Sequence, residues 1–366
     1  MKNRTFNLNL MVLAVAVALT ACGGGGGDSN VTTPTVPTAA PQAPATPVAT
    51  GPVTDVPLPV YSVADKTSVF NQLNDDRARC GFGKLAQNTK LDTAAQAHAD
   101  YLVLNSLPNS HTENNTLPGF YGTTLVDRFS VAGYPYSAGN EIIASTSFGS
   151  IYSTFPQPTA GQMPLPSVTE LSAVTALRQL YSSVYHLAGA MSPSKEVGVG
   201  VIVKVRQIGG NTAGYKQLVI NSGVSSNDSP QTIAQDAVLT FPCQGTAALM
   251  PQFGPEDPDP LPSLSSPRGQ PIYFASAPGT TIQLSSYAVT LVGGTDVTVV
   301  QVNQGNDVHK LLKSHEFFIV PVKPLNDNST YQVTAKGTSS GRVSATNPTG
   351  EFTTNFTFKT GTFYSQ

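Results

Sequence analysis

Residues 109–144, NSHTENNTLPGFYGTTLVDRFSVAGYPYSAGNEIIA, carry much of the chemistry of this chain. The stretch holds His111, Glu113 and Glu141, with turn signals between them at Pro118-Gly119 and Gly133. TTLVDRFSVAGY reads as a short helix closed by Gly133, and Asn140-Glu-Ile-Ile-Ala opens another regular element. Further on, SSVYHLAGAMSPSKEVGVGVIV (182–203) sets His186 just ahead of an apolar strand. The chain has five histidines, and none stands in a short metal motif such as HExxH. If His111 and His186 act together, only the fold can bring them together.

Working outward, SVFNQLNDDRARCG places Val69, Phe70, Leu73, Arg77 and Cys80 at helical spacing, with Gly81 as the stop. KLDTAAQAHADYLVLNS predicts a second helix whose broad face carries Leu91, Ala94, Ala95, His98, Tyr101 and Leu102. His98 lies within that apolar stripe, so it reads as a buried histidine bonded to a backbone carbonyl rather than as a ligand. Residues 147–167, rich in Pro, Gly and Ser, read as a loop. SVTELSAVTALRQLYSSVYH reads as one helix, and EVGVGVIVKV and KQLVINSGV as strands. Helices followed by a hairpin predict a layered α/β domain.

The pattern changes after residue 245. Residues 246–268, including QFGPEDPDPLPSLSSP, read as a linker. From 269 to 366 short alternating strands follow one another: PIYFAS, TIQLSSYAVTLV, DVTVVQVNQ, HEFFIVPV, TYQVTAKG and EFTTNFTFKT. That spacing predicts an Ig-like β-sandwich. Leu325 stands six positions before Tyr331 at the start of an alternating strand, which resembles a tyrosine corner with Tyr331 bonded back to the turn. A Pro-rich boundary predicts few crossing contacts and a sandwich that folds alone. His309 and His315 read as surface residues.

The N-terminus reads as a targeting segment. Lys2 and Arg4 precede the apolar run Leu10–Leu19, and Leu19-Thr20-Ala21-Cys22 resembles a bacterial lipobox. Residues 1–21 would then be the signal peptide and Cys22 the acylated first residue. A single-pass anchor is the alternative, but about 10–12 apolar residues are too few to span a bilayer. Gly23 in place of Asp points to the outer membrane. Residues 22–60 are dense in Gly, Pro, Thr and Ala and form a tether that cannot bury a core. Two other cysteines remain, Cys80 and Cys243. In an oxidising compartment they most simply form one disulfide, worth up to about 5 kcal/mol by loop entropy, the alternative being two buried thiols. Charged residues are 11% of the chain and the net charge is −2, which gives nucleic acid no electrostatic footing.

With these features in place, residues 68–243 resemble the CAP superfamily of cysteine-rich secretory proteins, antigen 5 and pathogenesis-related proteins. LNDDRARCG, KLAQNTKLDTAAQAHADYL, SHTE, DRFSVAGY, AGNEIIA and YHLAGAMSPSKEVGVGV occur in the family's order. The resemblance implies an α-β-α sandwich over 61–245. It also implies a cleft in which His111 and His186 are the two histidines and Glu141 the acid of the Gly-Glu-Asn motif. Here the order is Gly139-Asn140-Glu141-Ile142, and QLYSSVYH carries no acid where the family has a second glutamate. Glu113 could substitute if its segment is extended, since positions i and i+2 share a face.

Two imidazoles and a carboxylate with an open fourth position suit Zn²⁺, held weakly by His111, His186 and Glu141. The same set could instead order a hydrogen-bonded cleft. The leading expectation is a surface-tethered lipoprotein whose cleft, with His111, Glu113, Glu141 and His186, binds a lipid- or sterol-like molecule or a protein partner. The alternative is a Zn²⁺-dependent hydrolase using the same residues.

Overall fold

Why the sheet packs as it does is written in EVGVGV. A Cβ at Gly198 would lie 2.1 Å from the carbonyl carbon of Leu91, and one at Gly200 would lie 2.2 Å from the Ala95 oxygen. The glycines therefore let a helix backbone rest directly on the strand, while Val197 and Val199, both fully buried, fill the opposite face. The computed structural model describes residues 51–149, 172–208, 211–254 and 256–362. The expected signal segment, Cys22, most of the expected tether and most of the expected 147–167 loop lie outside the described residues.

The first module contains helices α1 (Ala64–Arg79), α2 (Thr89–Asn105), α3 (Leu125–Val131), α4 (Ala173–Tyr181) and α5 (Val184–Ala190). Its strands are β1 (Ala86–Gln87), β2 (Tyr136–Gly149), β3 (Glu196–Ile208) and β4 (Asn211–Ser225). The sheet order is β1-β3-β4-β2, with β1 parallel to β3 and the other pairs antiparallel. Helices α2 and α3 cover one face, and α1, α4 and α5 the other. This is the expected α-β-α sandwich. Asn88 caps α2 by accepting from Lys90 and Leu91, and Thr124 and Asp127 form a capping box on α3. Buried Arg77 on α1 donates to the carbonyls of Phe82, Gly83, Ala190 and Ser192, fastening α1 to the segment after α5.

One expected helix is two. The Ser182 and Ser183 hydroxyls turn back onto the carbonyls of Gln179 (2.6 Å) and Leu180 (3.1 Å), and α4 stops before α5 begins.

The second module is a β-sandwich of two four-stranded sheets. Its strands are β5 (Leu239–Phe241), β6 (Thr246–Leu249), β7 (Ile272–Ala275), β8 (Ile282–Leu291), β9 (Val299–Asn303), β10 (Glu316–Pro321), β11 (Thr330–Ser339) and β12 (Glu351–Thr360). The sheets run β5-β7-β10-β9 and β6-β12-β11-β8, and Phe274, Phe317 and Ile319 of one share a core with Val289, Val333 and Phe358 of the other. The tyrosine corner is present: Asn326 N–H donates to the Tyr331 hydroxyl at 2.7 Å, and Tyr331 is buried. So is the disulfide between Cys80 and Cys243, S–S 2.08 Å.

The expected boundary shifts. β5 lies within the stretch read as the first domain and β6 within the stretch read as linker, yet β5 pairs with β7 and β6 with β12. Strands of three and four residues are too short for alternation to reveal them. Cys243 sits between them, so the disulfide fastens the end of α1 to an edge of the sandwich. The expectation of few crossing contacts also fails. One apolar core runs through both modules, Phe82 stacks on Tyr273, Tyr181 meets Phe241 edge-on, and Gln270 donates to the Tyr181 carbonyl at 2.6 Å. The described residues all belong to one unit, Pro47–Gln366.

Candidate functional site

The loop between α2 and α3 is built around a histidine inside the helix. His98 on α2 is fully buried, its Nε2 2.9 Å from the Ser110 carbonyl and its Nδ1 2.7 Å from Glu113 Oε1. Each ring nitrogen faces an acceptor, and only the doubly protonated ring donates to both at once. The other Glu113 oxygen accepts from the N–H groups of Tyr121 (2.6 Å) and Gly122 (3.2 Å). Burial alone would raise the Glu113 pKa; the hydrogen bonds from His98, Tyr121 and Gly122 and the charge of His98 hold it below its ordinary value. Tyr101, one turn further along α2, accepts from Asn114 N–H at 2.8 Å. These bonds, with the one from Asn105 Nδ2 to the Pro118 carbonyl (3.0 Å), tie the loop to α2.

Glu141 comes from β2 and faces α2. Arg128 Nη2 lies 2.8 and 2.9 Å from its two oxygens, and His111 Nδ1 lies 3.1 Å from Oε1. His98 Nε2 is 3.7 Å from the same oxygen. With its amide oriented to satisfy both neighbours, Asn221 of β4 donates to Oε2 at 3.1 Å. Arg128 is fully buried and also donates to the carbonyls of Gly122 and His111 at 3.3 Å. Gly122 must be glycine, because a Cβ there would lie 2.8 Å from Arg128 N. Burial pushes the Glu141 pKa up, but the hydrogen bond from His111 and the charges of His98, Arg128 and His111 bring it below its ordinary value. His111 stands at the surface with its side chain 45% exposed, while Glu141 beneath it is 2% exposed. A buried ion pair therefore fixes the position of a surface imidazole.

His186 does not join this group. It lies on α5, with Nδ1 2.8 Å from Ser183 Oγ and 3.4 Å from Glu256 Oε2. The reason is strand alternation. Glu141 and Ile143 face α2, whereas Asn140 and Ile142 face α5, so that a Cβ on Gly189 would lie 2.9 Å from Ile142 Cγ2. Exchanging neighbours, Gly-Asn-Glu in place of Gly-Glu-Asn, moves the carboxylate to the other side of the sheet. The His111/His186/Glu141 set is corrected accordingly. Glu113 does not serve as its fourth member either, because its carboxylate is committed to His98 and the Tyr121–Gly122 amides.

The residues do not fit a shared Zn²⁺. Among the described residues no group of three or more His, Cys, Asp or Glu is arranged to hold a metal ion, and Arg128 already supplies the cation at both Glu141 oxygens. Arg128 and Asn221 escaped the sequence reading. Arg128 stands beside the buried Phe129 in the short helix LVDRFSV, and nothing in the sequence marks it as buried. Glu256 escaped as well: from the segment read as linker, its carboxylate accepts from the N–H groups of Val184 (2.6 Å), Tyr185 (3.0 Å) and His186 (3.4 Å) and so caps α5.

Comparison with known proteins gives three results. Residues 70–204 match the family model described as CAP, the cysteine-rich secretory protein family. A search of curated proteins finds no match. Among solved structures, selenomethionine PcoC, a copper resistance protein from Escherichia coli, is similar at 15% identity over 33% of this chain and 94% of that chain. Its TM-score of 0.20 supports no conclusion about fold or function.

Proposed function

From the match of residues 70–204 to the CAP family model, we propose that this chain is an extracytoplasmic binding protein. In this reading Cys22 carries the lipid that anchors it in the outer membrane, and the 22–60 tether gives it reach. The disulfide accords with an oxidising compartment. The ligand is a lipid- or sterol-like molecule or a protein partner, met at the surface by His111. The observation that carries the proposal is the fixed imidazole. Its Nδ1 is held by Glu141, Glu141 is held by Arg128, and the ring edge is left toward solvent. Such an arrangement pre-organises one polar contact, which lowers the ordering cost of binding.

Protein purified from its own envelope and examined by native mass spectrometry should carry bound mass that His111→Ala loses. Equal retention by both would overturn the proposal. A second reading rests on the same pair, because an imidazole oriented by a carboxylate is the arrangement of a general base. Ester turnover by the wild type that disappears in His111→Ala would favour a hydrolase.

A further inference from the structure

On the side of the sheet away from His111, the two modules form between them an open-mouthed cavity of about 460 Å³. Phe82, Ala138, Ala188 and Met191 line it from the CAP side, and Tyr273 and Leu312 from the sandwich. Packed interiors leave few voids larger than a water molecule, and this volume falls within the range of small-molecule sites. Its walls are fixed. Cys80–Cys243 joins the modules beside it, Glu256 caps α5, and the Tyr185 hydroxyl donates to Asp307 across the junction.

Most uncharged polar side chains of the lining are bonded within the protein. Asn140 donates to Ser192 Oγ (2.9 Å), Ser192 and Ser194 share a hydrogen bond (3.1 Å), and Ser194 donates to Ser222 (3.1 Å). Gln231 accepts from Val53 N–H and donates to the carbonyls of Lys84 and Ser194. Glu316 accepts from the Tyr273 hydroxyl and from Lys313 N–H. The His315 ring is different. It is half-buried, lines the cavity, and makes no hydrogen bond to any described residue. Burial pushes its pKa below the ordinary 6.5, so near neutral pH it offers one donor and one acceptor. The expectation of a surface histidine is corrected here.

We propose that this intermodular cavity binds a small, neutral, largely apolar molecule with one hydrogen-bonding group, which His315 recognises. An apolar body answers the lining, and a single polar group answers the His315 ring. Because both modules supply the walls, the site exists only where they pack together. It is separate from the His111 surface and does not depend on it.

The test uses the chain from residue 23 onward, which keeps every described residue and avoids detergent. The probe is N-phenyl-1-naphthylamine, a neutral aromatic amine with one N–H donor, whose emission rises and shifts to the blue in an apolar site. One saturable site is expected. Ala138→Trp, which fills the cavity from an exposed strand position, should weaken binding at least tenfold. His315→Phe, which keeps the volume and removes the hydrogen bond, should weaken it about tenfold, and His111→Ala should leave it unchanged. Absence of saturable binding overturns the inference, as does wild-type affinity in His315→Phe together with Ala138→Trp. Loss of probe in His111→Ala would place the site on the other side of the sheet. If Ala138→Trp melts early, the His315→Phe isotherm alone decides.

Discussion

Replacing Glu256 by alanine should destabilise the whole unit, although the residue lies in a Pro-rich stretch outside every long element. Its carboxylate is buried and serves the first three N–H groups of α5, at 2.6 Å to Val184, 3.0 Å to Tyr185 and 3.4 Å to His186. Ser183, the residue in the capping position, makes no capping bond, because its hydroxyl is engaged with Leu180 and His186. Losing a cap costs about 0.5–2 kcal/mol. Leaving buried N–H groups without an acceptor adds about 1–3 kcal/mol. Relief of the carboxylate's own desolvation offsets part of this, and about 3 kcal/mol is a reasonable net. For a unit of this size that corresponds to a Tm lower by about 4–5 °C. Glu256→Gln keeps one acceptor and should lose about a third as much. Calorimetric melts of residues 23–366 near pH 7 should show a single transition that shifts in this order. A Glu256→Ala melt within about 1 °C of wild type would refute the reasoning, and so would two separate transitions in the wild type.

The remaining predictions draw on other parts of the molecule. Glu113 and Glu141 titrate below their ordinary 4.5 in the folded chain, so their contribution is complete above that value and is lost as pH falls through the folded values. Urea midpoints should therefore drop between about pH 7 and about pH 3.5, and drop less in Glu113→Gln; equal drops would contradict the assignment. Tyr331→Phe should cost about 1 kcal/mol by chemical denaturation, since it removes the acceptor for Asn326 N–H. Gly200→Ala should cost at least about 2 kcal/mol, because its Cβ would meet the α2 backbone. A neutral result would mean that α2 stands further from the sheet. Cys22→Ala should release the protein from the membrane fraction.

What the sequence reveals depends on the range of the interaction. The alternation in EVGVGVIVKV, the helical stripe of α2, the Cys80–Cys243 pair and the Leu325–Tyr331 corner are local or compartment-driven patterns, and all appear in the structure. The resemblance to CAP proteins located His111 and Glu141, which do meet. It misplaced His186 because motif alignment does not register that a one-residue exchange on a strand reverses the face. Glu256 and the strands β5 and β6 lay hidden for a different reason. Their partners stand far away in sequence, 72 residues from Glu256 to Val184, and nothing in a short Pro-rich segment signals what it will cap or pair with. His315 looked exposed because the second wall of its cavity comes from the other module.

The most direct test of the account compares ligand retention in His111→Ala and His186→Ala, both purified from their own envelope beside the wild type. Native mass spectrometry should find on the wild type and on His186→Ala, whose imidazole lies across the sheet from Glu141, a bound mass that is missing from His111→Ala. Loss of that mass in His186→Ala with retention in His111→Ala would contradict the assignment of the site.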